Sequence, residues 1–258
     1  VSDSGKSAVL ITGAAVRIGR AVALALAGDG HPIAVHYNSS RIEADRTVGE
    51  LQALGVVAAA VQADLSDHDA VLGLVPAAAD ALGQPVGVLV NNASLFENDR
   101  MKTATLQSFD SHMAINLRAP LFLAQQLADV LPEDQKGAVI NLIDMRVWKP
   151  LPGFISYTVS KAGLEMLTKT MAMALAPRIR VNAIGPGPVL PNERQSEDQF
   201  WKQWHSTLLK RGAHPEEIAD GVRFLINSPS VTGQMIAMDG GQHLPWPPID
   251  AEAASLDG

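Results

Sequence analysis

Seven short, almost wholly apolar runs are separated by stretches of helical period, and this alternation constrains the fold more than any other feature. The runs are Ala8–Ile11, Pro32–His36, Val56–Val61, Val86–Val90, Ala138–Ile143, Ile179–Ala183 and Met235–Met238. Between them, helices are expected at about 17–27, 42–54, 67–82, 106–130 and 155–175. Strands that alternate with helices of ten or more residues pair in parallel through helical crossovers. Crossovers cover both sheet faces, which explains why the runs are apolar throughout rather than alternating. The expected fold is therefore α/β, a Rossmann-type doubly wound parallel sheet of seven strands. No linker or low-complexity stretch divides the chain, so residues 1–258 are read as one domain. A Pro- and Gly-rich segment at about 188–212 is expected to form the substrate loop, with Phe200, Trp201 and Trp204 on a short helical stretch. The Pro245–Pro248 tail is expected to lie on the surface or across a subunit contact.

Charge and composition remove several function classes. The net charge is −7 and no basic face stands out, so nucleic acid and anionic membranes are not expected partners. Cysteine is absent, which excludes disulfides, thiolate metal sites and cysteine nucleophiles together. His112, His205 and His214 have no spacing suited to a metal, and none is assigned. The polar start Val1–Lys6 lacks the apolar stretch of a signal peptide, and no run approaches a membrane span. A soluble, cytoplasmic protein is expected.

The first strand runs into the first helix through Thr12-Gly13-Ala14-Ala15-Val16-Arg17-Ile18-Gly19. Gly13 suits a tight turn and Gly19 a close approach of helix and sheet. The helix N-terminus beyond them, starting at Arg17 and Ile18, offers unpaired N–H groups and a positive dipole end to a pyrophosphate. By itself the loop is also compatible with a plain structural turn. The segment closing the second strand, His36-Tyr37-Asn38-Ser39-Ser40-Arg41, has no acid before Glu43. A dinucleotide lacking a 2′-phosphate usually meets an acid there. Arg17, Ser39, Ser40 and Arg41 instead offer charge-assisted hydrogen bonds to a phosphate, so the expected cofactor is NADPH/NADP. The other role open to Arg17 is a bond to a main-chain carbonyl.

Tyr157 and Lys161 stand four residues apart, on one helix face. A cation one turn away is expected to lower the phenol pKa, making Tyr157 a proton donor that works beside a nicotinamide. Lys161 can also hold ribose hydroxyls. Asn91, Ala93 and Ser94 close the fourth strand, and Pro186-Gly187 follows the sixth. Strand carboxyl ends are where ligands bind in this architecture. Asn116 lies inside a helix, where a polar side chain suits a bend or a bound water. Asp64 and Leu65 follow the third strand, at the adenine edge; capping of the next helix is the other role open to Asp64.

As a set, Thr12-Gly13…Gly19, Asn91-Asn92-Ala93, Asn116, Tyr157…Lys161 and Pro186-Gly187 resemble the short-chain dehydrogenase/reductase family across residues 8–243. That resemblance implies the strand order 3-2-1-4-5-6-7, a homotetramer, and a catalytic set of Asn116, Tyr157 and Lys161. Most members carry a serine about 13 residues before the tyrosine; here Asp144 occupies that place. The Asp-Tyr-Lys set is similar to the pteridine reductase branch, as are Gly13–Gly19, His36–Ser40 and Asn91-Asn92-Ala93-Ser94-Leu95-Phe96. The likeness implies that Ser94 and Phe96 contact a pterin, with Asp144 and Tyr157 relaying a proton during hydride transfer to a C=N bond. Whether Asp144 donates or tunes Tyr157 stays open, and the pair is treated as coupled. The alternative is a carbonyl reductase or alcohol dehydrogenase of the same fold, in which Asp144 only caps its loop.

Overall fold

In the computed structural model, residues 6–191 and 195–244 are described. The elements run β1 (Ala8–Ile11), α1 (Arg17–Gly28), β2 (Ile33–Tyr37), α2 (Arg41–Ala53), β3 (Ala58–Gln62), α3 (His68–Leu82) and β4 (Val86–Asn91). They continue with α4 (Leu106–Met113), a π-helical turn (Ala114–Arg118), α5 (Ala119–Val130), β5 (Gly137–Leu142) and a 3₁₀ turn (Met145–Val147). The chain then forms α6 (Ile155–Leu175), β6 (Ile179–Pro186), α7 (Glu197–His205), α8 (Pro215–Ile226) and β7 (Met235–Met238). The seven strands make one parallel sheet in the order β3-β2-β1-β4-β5-β6-β7.

Strand period and helix period meet in two apolar layers. Val9 and Ile11 of β1 face one side, with Val22 and Leu26 of α1, Leu51 of α2 and Val222 of α8. Ala8 and Leu10 face the other, with Leu74 of α3, Leu123 and Leu127 of α5 and Met171 of α6. Both faces are therefore dry, and the inner strands need apolar residues at every position. Met171 belongs to that core, while Met166 and Met173 are exposed.

Three expectations change. The helix expected over 106–130 is divided by the π-helical turn, which widens the chain around Asn116. The third strand starts at Ala58 rather than Val56, and β6 extends through Pro186. Helix α8 lies in a stretch for which no helix was expected. Its start carries Pro215 and a capping box between His214 and Glu217, both standard initiation signals. The Pro245–Pro248 tail lies outside the described residues.

Candidate active site

Residues 12–19 turn sharply from β1 into α1 at the carboxyl edge of the sheet. Gly13 takes φ +64, and a Cβ on Gly19 would stand 2.3 Å from the Gly13 carbonyl oxygen, an approach only glycine permits. The turn is braced from both neighbouring strands. From β2, His36 Nδ1 accepts the Gly13 N–H at 3.0 Å, while Nε2 lies 3.1 Å from the Ala63 carbonyl. With one ring nitrogen accepting, the other is the donor and the imidazole is neutral. Burial, opposed by the Ala63 bond, pushes the His36 pKa down to about 4. From β4, Asn92 Nδ2 donates to the carbonyls of Thr12 (2.8 Å) and Gly13 (3.1 Å). Thr12 Oγ1 in return accepts the N–H groups of Asn92 and Ala93. The turn thus holds its shape by protein contacts alone, leaving the α1 N-terminus facing the strand ends, as a pyrophosphate requires.

Several residues expected at the cofactor have structural work for their side chains. Both nitrogens of His36 are committed to the protein, so it braces the turn. Tyr37 and Leu65 are buried in the core, which leaves only their backbone for a ligand. Asp64 Oδ1 accepts the N–H and hydroxyl of Ser66 at 2.8 and 2.7 Å. The cap of α3 is Asp67, which accepts from Asp69 and Ala70; the capping role open to Asp64 thus falls to its neighbour. Asn92, a member of the strand-four motif whose amides are expected to line the crevice, is a main brace of the turn.

The adenosine end of the crevice is cationic. Arg17 adopts φ +55, a left-handed backbone unusual for a non-glycine residue. Its guanidinium donates to the carbonyl of Pro191 at 2.9 Å, the second of the two roles open to it. It borders a recess of about 270 Å³ lined also by Arg20, Glu43, Arg46 and Thr47. Asn38 and Ser39 are exposed beside it, and the Ser40 side chain makes no cap bond to α2. Arg41 bonds Asp45 at 3.3 Å and the Tyr37 hydroxyl. With hydroxyls and guanidinium groups here and no acid from residue 36 to 42, these residues fit a 2′-phosphate.

The loop after β4 is pinned at alternate residues. The π-helical turn swings Asn116 so that its Oδ1 accepts the Leu95 N–H at 2.8 Å and its Nδ2 donates to the Leu95 carbonyl at 2.9 Å. The same Nδ2 donates to Ser160 Oγ on α6, and Ser94 Oγ donates to the Asn116 oxygen at 3.2 Å. Buried His112 on α4 accepts the Glu97 N–H through Nε2 at 3.2 Å. Asp99 holds Phe154 and Ser156. Between these pins Phe96 lies against Tyr157, ring centroids 4.7 Å apart and edge-on, and stacks on Phe154 at 4.5 Å.

At the centre, the Tyr157 hydroxyl donates to Asp144 Oδ2 at 2.8 Å. Asp144 Oδ1 accepts the N–H of Arg146, fixing the 3₁₀ turn. Buried Lys161 donates to the Leu142 carbonyl at 2.8 Å, and its Nζ stands 5.8 Å from the Tyr157 ring centroid. Burial, opposed by Asp144, lowers the Lys161 pKa to about 8. The expected lowering of the Tyr157 pKa is corrected. Burial and the Asp144 carboxylate push it well above its ordinary value, and the cation that opposes this is Arg146. The physical reason is direction: Lys161 points to a β5 carbonyl, whereas the acceptor nearest the phenol is an anion. Asn91 donates to Asn141, which donates to Thr168, both at 2.8 Å. The other Asn91 atom, Oδ1, is buried without a hydrogen-bond partner. Pro186 pairs with Met238 of β7, and the Gly187 N–H donates to the same residue's carbonyl.

A family model described as enoyl-(acyl carrier protein) reductase matches residues 13–243. The chain belongs to the short-chain dehydrogenase/reductase family. This short-chain dehydrogenase/reductase is 34% identical to the 3-oxoacyl-[acyl-carrier-protein] reductase FabG of Staphylococcus epidermidis, over 91% of this chain and 98% of the relative. It is also similar to the solved structure of FolM alternative dihydrofolate reductase 1 from Brucella canis complexed with NADP. That likeness has a TM-score of 0.89 and 45% identity, over 95% of this chain and 97% of the other. The Brucella suis counterpart, also in complex with NADP, gives a TM-score of 0.90 and 47% identity, over 93% and 96%. The chain is thus an NADP-dependent oxidoreductase of this family, and among its described residues no helix is long and apolar enough to cross a membrane.

Proposed function

We propose that this enzyme is an NADPH-dependent pteridine reductase that reduces a C=N bond of a dihydropterin or folate-like substrate. The observation that carries the reading is the Tyr157–Asp144 hydrogen bond, formed where most members of the family have a serine, beside a half-buried aromatic wall. A pterin is flat and rich in ring nitrogens; Phe96 offers it a stacking face, and Ser94, Asp144 and Tyr157 offer polar contacts. The names of the Brucella FolM relatives point the same way.

In this reading the turn of Gly13, Ile18 and Gly19 holds the pyrophosphate, and Arg17, Asn38, Ser39, Ser40 and Arg41 the 2′-phosphate side. The backbone of His36, Tyr37, Asp64, Leu65, Asn91, Ala93 and Ser94 lines the crevice, closed by Pro186 and Gly187. When bound there, NADPH supplies a hydride. The chain supplies the proton. Tyr157 keeps its proton at neutral pH and passes it to the substrate nitrogen, so that the C=N carbon gains the hydride and the nitrogen the proton. The charge left on the phenol oxygen is opposed by Asp144 and offset by Arg146. Lys161 orients ribose hydroxyls, and Asn116 holds the loop that bears Phe96.

The reading also takes residues 1–258 as one domain of a cytoplasmic homotetramer. Val159, Met166 and Met173 recur at seven-residue intervals on α6 and are exposed, an apolar stripe suited to a subunit contact.

A second reading, reduction of a 3-oxoacyl or other ketone, is favoured by the FabG likeness. Following NADPH absorbance with dihydrobiopterin, dihydrofolate and a 3-oxoacyl thioester separates the two. Turnover of the pterins is expected to exceed that of the thioester by at least tenfold in kcat/KM, about 1.4 kcal/mol in transition-state binding. Efficient thioester reduction with no pterin turnover would reject the first reading.

A further inference from the structure

Helix α6 carries Tyr157 and Lys161, yet it begins without a cap of its own. The residue before it, Phe154, makes no side-chain cap bond and sits at φ +57, a conformation that costs a non-glycine residue energy. The missing acceptor comes from the loop after β4. Asp99 is 3% exposed, and its two carboxylate oxygens accept the Ser156 N–H at 3.2 and 3.3 Å. Oδ2 also accepts the Ser156 hydroxyl at 2.5 Å, and the Asp99 carbonyl accepts the Phe154 N–H at 2.8 Å. One residue therefore satisfies the first turn of α6 and holds Phe154 in its strained backbone.

That conformation places the Phe154 ring 4.5 Å from Phe96, with 6° between their planes. Phe96 is in turn edge-on to Tyr157. The Arg146 guanidinium lies over both phenylalanines, at 4.9 and 5.9 Å from their centroids. Loop, aromatic wall and phenol thus share one anchor, placed one residue from Tyr157 in sequence and three from Phe96.

We propose that Asp99 is a positioning residue for the reductase reaction, clamping the first turn of α6 so that Tyr157 meets the substrate at the right distance from the Phe96–Phe154 wall. The proposal rests on Tyr157 as the proton donor, not on the pterin. A buried carboxylate at a helix start is rare unless its bonds are needed, because leaving it unpaired costs more than an apolar residue would. The phosphate turn is braced by His36 of β2 and by Asn92, seven residues before Asp99 and bonded directly to Thr12 and Gly13, so losing this clamp leaves the turn intact.

The test compares Asp99→Ala, Asp99→Asn and Ser156→Ala. Steady-state kinetics would use whichever substrate the wild type turns over, with NADPH affinity read by fluorescence titration. In Asp99→Ala, kcat is expected to fall by about tenfold to a hundredfold, as for a misplacement near 1 Å at the reacting groups. NADPH affinity should stay within about twofold, since the phosphate turn keeps its own braces and what suffers is the alignment of Tyr157 in the transition state. Asp99→Asn should recover most of kcat, because an amide oxygen still accepts the Ser156 N–H and the amide nitrogen can donate to its hydroxyl. Ser156→Ala, which keeps the main-chain bond, should lose a few-fold in kcat and serves if Asp99→Ala fails to fold. An unchanged kcat in Asp99→Ala, or in Ser156→Ala where Asp99→Ala cannot be purified, overturns the proposal. So does NADPH affinity falling in step with kcat, which marks a general structural role. Failure of wild-type pterin turnover rejects the substrate reading and leaves this comparison intact on a ketone.

Discussion

The Tyr157 hydroxyl bonds Asp144, a carboxylate 2.8 Å away, rather than the lysine one turn along its own helix. A phenol facing an anion resists ionisation, so in the proposed reaction Tyr157 starts as a complete acid. Tyr157→Phe removes the proton and keeps the shape. Turnover is expected to fall by about 10²-fold to 10⁴-fold, the range of a lost general acid, with NADPH affinity preserved in a fluorescence titration. Wild-type turnover in that variant would remove the donor.

Lys161 supplies a second prediction. Its folded pKa of about 8 lies below its ordinary 10.5, so the cost of burying the ammonium is present below pH 8. Between pH 8 and 10.5 the unfolded chain binds more protons than the folded one, and unfolding free energy should rise with pH. In Lys161→Met this rise should vanish from urea-unfolding curves. The kcat/KM of the wild type should show an alkaline limb near pH 8 that belongs to Lys161, because Tyr157 remains protonated far beyond it. A limb that persists in Lys161→Met would assign it elsewhere.

His36 should control acid stability. Its folded pKa of about 4, against an ordinary 6.5, means that the unfolded chain takes up a proton first as pH falls. The resulting stability, about 3 kcal/mol, is fully present above pH 6.5 and is lost as pH drops toward 4. Glutamine can accept from Gly13 and donate to Ala63 without titrating. Urea midpoints of His36→Gln should therefore be flatter over this window; equal slopes in the two proteins would show that another group governs it.

Arg17 should separate the two nicotinamide cofactors. Arg17→Gly relieves the φ +55 backbone while deleting the guanidinium. KM for NADPH is expected to rise by about tenfold or more, the worth of a charge-assisted bond, with little change for NADH. Equal effects on both would place Arg17 away from the 2′-phosphate.

Much of the fold was legible in residue order. The expected bounds of the seventh strand, Met235–Met238, and of the helix at 155–175 agree with β7 and α6, because apolar runs and helical period are local signals. Helix α8 carries signals too, in Pro215, Glu216 and Glu217 ahead of Ile218, Val222 and Leu225, but they follow directly on the segment assigned to the substrate loop and its short helical stretch. The π-helical turn has no local signature, since one extra residue in a long amphipathic stretch leaves its apolar face nearly continuous. At the site, the Asp144, Tyr157 and Lys161 spacing was readable and the direction of Lys161 was not, because its acceptor is a carbonyl on β5. Asp99 and Ser156 are 57 positions apart, and only the folded chain brings them together.

The loop after β4 is tethered through its own main chain at Leu95 and Glu97 by side chains rooted elsewhere, and at Asp99 by the main-chain N–H of Phe154. Its path therefore owes little to Phe96, which stands between two tethers. Such a wall can be re-tiled: a different side chain at residue 96 changes the shape offered to a visiting molecule while the course of the polypeptide stays put. New substrates become reachable by single exchanges, without rebuilding the machinery that moves the proton.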